Sequence, residues 1–138
     1  MVAAKRHVLV VEDEPGLQRL VRRRAAQENL EVIEALTGAD GLALAKATQP
    51  DLIVLDLHLP DGRGVDLVIR LKADPTTTSI PIVAWSASGD IDEEDDVLLA
   101  GAAAYCSKTD LRALFMKILE LMVPSAARGA ESAGRPSA

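Results

Sequence analysis

Four short apolar runs in this chain end abruptly on polar residues. His7–Val11 runs into Glu12-Asp13, Leu52–Leu55 into Asp56, Ile82–Trp85 into Ser86, and Ala103–Cys106 into Ser107-Lys108. A weaker run, Glu31–Ala35, is flanked and interrupted by Glu31 and Glu34 and reads as a sheet edge. Between these runs the apolar period changes to that of a helix. Leu17, Leu20, Val21 and Ala25 predict a first helix with one buried stripe. Thr37 is placed to cap a second helix through Ala47, with Ala39, Leu42, Ala43 and Ala47 on one face. Pro50 stops the chain before Leu52–Leu55, which is apolar throughout, as expected of a strand buried on both faces. Gly64–Lys72 predicts a third helix with Val65, Val68 and Ile69 inward, and Pro75 and Pro81 bracket the loop after it.

Asp92–Ala100 reads as a short helix whose first turns carry Asp92, Glu93, Glu94, Asp95 and Asp96, where the helix dipole favours negative charge. Leu111, Leu114, Phe115, Ile118, Leu119 and Met122 form the cleanest stripe, ended by Pro124. Five strands alternating with five helices predict an α/β fold: a parallel sheet with helices on both faces. Open sheets of this kind bind ligands at the carboxyl ends of their strands. Those ends are where the polar residues fall.

Length and composition narrow the class. A chain of 138 residues makes one domain with a normal core, here of Val, Leu, Ile and Ala. A net charge of −6 argues against a generic nucleic-acid binder, which would carry a basic stripe. No apolar run reaches membrane-span length, and Met1–Lys5 is too short and polar for a secretory signal. The single cysteine, Cys106, excludes an internal disulfide and fits a reducing compartment. The expectation is a soluble cytoplasmic protein, folded over 1–123, with residues 124–138 as a disordered tail.

If the strand ends meet, Glu12, Asp13 and Asp56 repel one another. Two unit charges 4 Å apart interact by roughly 4 kcal/mol at an effective dielectric near 20. Such a cluster either raises a pKa or holds a cation, and hard oxygen ligands suit Mg²⁺. A carboxylate beside Mg²⁺ can attack a phosphoryl group and form an aspartyl-phosphate. Asp56 is the candidate nucleophile because it ends the central apolar strand, which leaves Glu12 and Asp13 as the metal-holding pair. Lys108 can supply a point charge and Ser86 a hydroxyl donor to the transferring group.

Each residue alone has a plainer reading. Glu12-Asp13 fits an acidic turn capping the first helix, and Asp56 an ordinary loop aspartate. Ser86 fits a turn hydroxyl, Lys108 a solvated lysine, Tyr105 a static edge aromatic, and His58 an exposed loop histidine. Arg22, Arg23 and Arg24, and the acidic run 92–96, read first as solvated helix faces and second as partner-docking surfaces. His7 stands at the opposite end of the sheet and is structural, and Cys106 reads as a small buried hydrophobe.

Taken together, four segments give a specific pattern: Val-Glu-Asp-Glu at 11–14, Asp56-Leu-His-Leu-Pro60 followed by Gly64, Trp85-Ser-Ala87, and Gly101-Ala-Ala-Ala-Tyr105-Cys-Ser-Lys108. Over residues 5 to 123 the chain resembles the receiver domain of bacterial two-component response regulators. The resemblance implies a flavodoxin-like receiver fold with strand order 2-1-3-4-5. It implies that Asp56 takes a phosphoryl group from a phosphohistidine on a sensor histidine kinase or histidine phosphotransfer protein. It implies Mg²⁺ held by Asp13, Asp56 and the His58 backbone carbonyl, and through water by Glu12. Ser86 and Tyr105 are implied as a switch pair that reshapes the surface of the fourth helix, fifth strand and fifth helix for a downstream target protein.

The chain departs from the family pattern at Thr109, where proline usually follows the lysine, so the loop is expected to be trans and reshaped. His58 and Ser88 occupy positions that in the family tune the lifetime of the aspartyl-phosphate. The residues after Val123 are too few for a helix-turn-helix unit, so a single-domain receiver is expected. It would catalyse its own phosphorylation and dephosphorylation, serve as a phosphorelay shuttle or a target-binding switch, and exist as a monomer or weak homodimer. It would not contact nucleic acid or membrane directly. The alternative is a pseudo-receiver that acts only as a protein-binding module. A phosphatase of the haloacid-dehalogenase type is disfavoured, because it needs a second aspartate where His58 stands.

Overall fold

The computed structural model describes residues 5–122. In chain order the elements are β1 (Arg6–Val11), α1 (Pro15–Gln27), β2 (Leu30–Ala35), α2 (Gly38–Thr48), β3 (Leu52–Asp56), β4 (His58–Leu59), β5 (Gly62–Arg63), α3 (Gly64–Ala73), β6 (Ile82–Ser86), α4 (Ile91–Ala100), β7 (Ala104–Ser107) and α5 (Leu111–Leu121). Five strands form one parallel sheet in the order β2-β1-β3-β6-β7, which is the expected 2-1-3-4-5 when only sheet strands are counted. The pair β4 and β5 is a small antiparallel hairpin outside that sheet. Sequence patterning had shown only a loop there.

Side chains alternate across the sheet, and this alternation divides the core. Val8, Val10, Leu52, Val54, Val83 and Trp85 face one layer, where they meet Val21 and Ala25 of α1 and Leu114, Phe115 and Ile118 of α5. Leu9, Val11, Ile53, Leu55, Ile82 and Ala84 face the other, where they meet Ala45 of α2, Leu67, Val68 and Leu71 of α3, and Val97 of α4. Residues 52–56 are all buried, as a central parallel strand requires.

The helices are rotated from their predicted faces at several positions. Leu20 is exposed, and Gln18 is buried in its place. The Gln18 amide donates to the carbonyls of Val10, Glu12 and Ala35, which lie at the ends of β1 and β2. Satisfying those buried acceptors sets the phase of α1. In α2 the buried residues are Gly41 and Ala45, while Ala39, Ala43 and Ala47 are exposed. A Cβ on Gly41 would come within 2.8 Å of Val11 Cγ2, so α2 lies directly on β1 along this line. In α3, Leu67, Val68 and Leu71 face inward and Ile69 is exposed. Leu119 of α5 is also partly exposed, at 38%. The predicted stop at Pro124 and the predicted tail over 124–138 lie outside the described residues.

Candidate functional site

Strand register brings the polar residues to one edge. Val11 pairs with Leu55, Asp56 with Trp85, and Ser86 with Ser107. Glu12, Asp56, Ser86 and Lys108 therefore leave the sheet side by side. One carboxylate oxygen from each of Glu12, Asp13 and Asp56 lies within 4.8 Å of the others. Lys108 Nζ stands 2.5 Å from Glu12 Oε1 and 3.1 Å from Asp56 Oδ2. Glu12 and Asp56 are buried, whereas Asp13 is exposed at the mouth.

Burial pushes the Glu12 carboxyl above its ordinary value, and the Asp56 charge adds to this against the opposing effects of Lys108 and the Glu14 N–H. Burial alone would depress the Lys108 ammonium. The hydrogen bond it donates to Glu12 and the charges of Asp56 and Glu12 overcome it and raise the ammonium above the usual lysine range. Among the described residues no donor apart from that ammonium reaches Glu12 Oε1, while Glu12 Oε2 accepts the Glu14 N–H. The cluster holds three acids and one base, so it remains short of positive charge. Its donors are all hard oxygens, and its mouth is open at Asp13. These features fit a divalent cation with room for water.

The other predicted residues are placed differently. Ser86 is buried at the edge, but its hydroxyl donates to Glu93 Oε1 at 2.8 Å and accepts the Ser88 N–H. The His58 N–H donates to Asp56 Oδ1 at 3.0 Å, while its exposed imidazole pairs with Glu93 Oε2 at 2.8 Å. The Tyr105 hydroxyl donates to the Ser88 carbonyl at 2.5 Å, with Glu93 Oε1 at 3.3 Å. Burial raises the Tyr105 pKa, and the Glu93 charge also contributes. Sequence reasoning missed Glu93, which it took as part of a solvated acidic run. Nothing in the local pattern distinguishes it from its acidic neighbours.

Among the described residues no peptide bond is cis, the bond after Lys108 included. The loop is instead closed by Ser107, whose hydroxyl accepts the Thr109 N–H and bonds the Thr109 hydroxyl, and Lys108 still reaches the acids. The hairpin is held from below by Asp61, which accepts the N–H groups of Gly38 and Ala39 at the start of α2. Those two bonds hold its carboxyl below the ordinary range. Arg24 is no free surface cation, since it pairs with Glu28 and lies over the Phe115 ring.

The model of the response regulator receiver domain matches residues 8–119. The chain belongs to this family. Within it, the chain is similar to the DNA-binding dual master transcriptional regulator RpaA of Synechocystis, with 32% identity over 130 residues that cover 90% of this chain and 54% of that protein. This receiver thus spans about half the length of that curated relative. Among solved structures, a response regulator from Chloroflexus aurantiacus is 25% identical with a TM-score of 0.80, covering 86% of this chain and 98% of that one. The phosphorylated cyanobacterial phytochrome response regulator RcpA is 28% identical with a TM-score of 0.70, covering 85% and 90%. A receiver domain is consistent with phosphorylation-based signalling, and the acidic cluster of Glu12, Asp13 and Asp56 corresponds to the pocket where such domains bind Mg²⁺. Among the described residues no helix is long and apolar enough to cross a membrane.

Proposed function

We propose that this receiver takes a phosphoryl group onto Asp56 from a phosphohistidine of a histidine kinase or phosphotransfer protein in the cytoplasm. The observation that carries this reading is the convergence of Glu12, Asp13, Asp56 and Lys108 from three strand ends into one cluster. An Asp56 carboxylate oxygen forms the new O–P bond while the donor N–P bond breaks, and its electron pair returns to the imidazole nitrogen. Asp13 and Asp56, with the His58 carbonyl, would hold Mg²⁺, and Glu12 would reach it through water. When bound, the ion supplies the positive charge that draws the phosphoryl oxygens toward Asp56.

Lys108 neutralises the charge that builds on those oxygens, and Ser86 donates a hydrogen bond to them once its hydroxyl is turned from Glu93. Tyr105 then moves toward the space Ser86 leaves. The surface of α4, β7 and α5 changes shape, and a partner protein reads it, as a relay step or as a direct target. The phosphoryl group can bias this change only by binding one arrangement better than the other.

The test is Mg²⁺-dependent labelling of the protein by acetyl phosphate, compared with Asp56→Asn. The expected result is one phosphoryl group per chain, lost in the variant. A protein that stays unlabelled with Mg²⁺ present would support the pseudo-receiver, a module that binds partners without this chemistry.

A further inference from the structure

We propose that Glu93 is a positioning residue that holds the Ser86 hydroxyl in reserve and so limits how readily Asp56 takes up a phosphoryl group. This rests on the function proposed above, in which Ser86 donates to the phosphoryl oxygens.

A serine hydroxyl has one proton to donate. Here it is spent on Glu93 Oε1 at 2.8 Å, and the oxygen is fixed from the other side by the Ser88 N–H at 3.1 Å. While that bond stands, no proton is available for a phosphoryl oxygen on Asp56. Glu93 has two further partners. Its Oε2 pairs with His58 Nε2 at 2.8 Å, and the Tyr105 hydroxyl lies 3.3 Å from its Oε1. One carboxylate on the first turn of α4 therefore gathers the residue two beyond Asp56, the switch hydroxyl and the switch ring. Its acidic neighbours Asp92, Asp95 and Asp96 are exposed, whereas the Glu93 side chain is only 19% exposed.

The bond from Ser86 to Glu93 is charge-assisted, and the phosphoryl group must compete with it. A state available only part of the time lowers apparent affinity and rate by the fraction in which it is available. Releasing one hydrogen bond to a charged acceptor corresponds to a factor of about ten.

The experiment uses the full chain with Mg²⁺ and acetyl phosphate and follows the initial labelling rate by intact mass. Wild type is compared with Glu93→Ala, Ser86→Ala and the double variant. Glu93→Ala should label about tenfold faster than wild type, and in the Ser86→Ala background the same change should alter the rate by less than about twofold. Fluoroberyllate, a phosphoryl mimic read through Trp85 fluorescence, should bind Glu93→Ala more tightly by a similar factor. Glu93→Gln keeps the side-chain volume and weakens the acceptor, so it should fall between wild type and Glu93→Ala. It also carries the test if the alanine variant folds poorly.

An equal acceleration in both backgrounds would show that a carboxylate near an anionic donor acts through its field alone, and it would overturn the proposal. An unchanged or slower Glu93→Ala, with wild type labelling normally, would overturn it while leaving Asp56 as acceptor. A wild type that resembles Asp56→Asn would remove the function on which it rests.

Discussion

Lys108→Met removes the ammonium that faces both Glu12 and Asp56 and leaves a similar apolar volume in its place. Three carboxylates then remain with oxygens within 4.8 Å of one another. At that separation, each ionised pair repels by about 3.5 kcal/mol at an effective dielectric near 20. The Glu12 and Asp56 side chains are 1% and 3% exposed and Lys108 is 15% exposed, so water screens the Glu12–Asp56 pair little, while it screens the pairs with the exposed Asp13. Breaking a buried ion pair by removing one partner costs about 3–5 kcal/mol. Some of this is relieved when a carboxyl takes up a proton or Asp13 turns outward. Near neutral pH and with a chelator present, the variant should be about 3 kcal/mol less stable than wild type.

Urea unfolding, followed by Trp85 fluorescence and by circular dichroism, measures the difference. Two signatures separate charge from lost packing. Millimolar Mg²⁺ should restore most of the lost stability, since it supplies the missing charge. The gap should also narrow on acidification, as the carboxylates bind protons. In wild type the Lys108 contribution has the opposite limb. Its pKa is raised in the folded state, so its stabilisation is complete below 10.5 and is lost as pH climbs through the raised value. A gap below about 1 kcal/mol, or one indifferent to both Mg²⁺ and pH, would refute the charge-balance reasoning.

Glu12→Gln tests the same pocket from the acid side. Because burial raises the folded pKa above 4.5, the native state binds the extra proton, and wild type loses stability as pH rises from 4.5 through the raised value. Metal-free melts of Glu12→Gln should lack that limb, and its persistence would assign the limb to another group. Gly64→Ala would place a Cβ 2.6 Å from Leu57 Cα and 2.7 Å from the Asp56 carbonyl, so it should destabilise by about 1–3 kcal/mol and slow labelling of Asp56, both measurable on one preparation. His58→Ala should alter the dephosphorylation rate, followed by loss of label after donor removal, while stability changes by less than about 1 kcal/mol, because its pair with Glu93 is exposed on the histidine side. Equal lifetimes of the label in the two proteins would refute a role for His58.

The strands followed from the apolar runs because a strand buried on both faces has no polar position to confuse its limits, whereas their order in the sheet came from the resemblance to receiver domains. Residues 52–56 are the clearest instance. The acid cluster followed from the same fact, since a polar residue at the end of such a strand must lie at the sheet edge. Helix faces were harder to read. Gln18 replaces Leu20 inside because its amide reaches the backbone carbonyls of Val10, Glu12 and Ala35, and hydrophobicity counts carry no trace of such bonds. In α2, alanines on every side gave no contrast, and the line of closest approach was decided by the missing Cβ of Gly41. Glu93 was hidden for a further reason. Its role depends on Ser86, His58 and Tyr105, which reach it from three separate elements.

Two charge systems meet at this edge and do different work. Glu12, Asp56 and Lys108 join β1, β3 and the end of β7 across the sheet, so any change in their charge is felt by the strands themselves. Glu93 joins β6, β7 and the hairpin to α4, a helix whose other anchor is Val97 in the core. In the function proposed above, a phosphoryl group on Asp56 would touch the first system directly and reach the second through His58 and through Ser86, whose backbone carbonyl accepts the Lys108 N–H at 2.8 Å. On this reading the sheet stays in place while α4 responds, because Asp56 is linked to α4 through two side groups, the Ser86 hydroxyl and His58, whose N–H donates to Asp56 and whose imidazole pairs with Glu93. A switch built this way should show its largest changes in hydrogen-exchange protection at α4, with β1 and β3 protected in both states. Equal loosening of β3 and α4 would mean that the strands carry the signal instead.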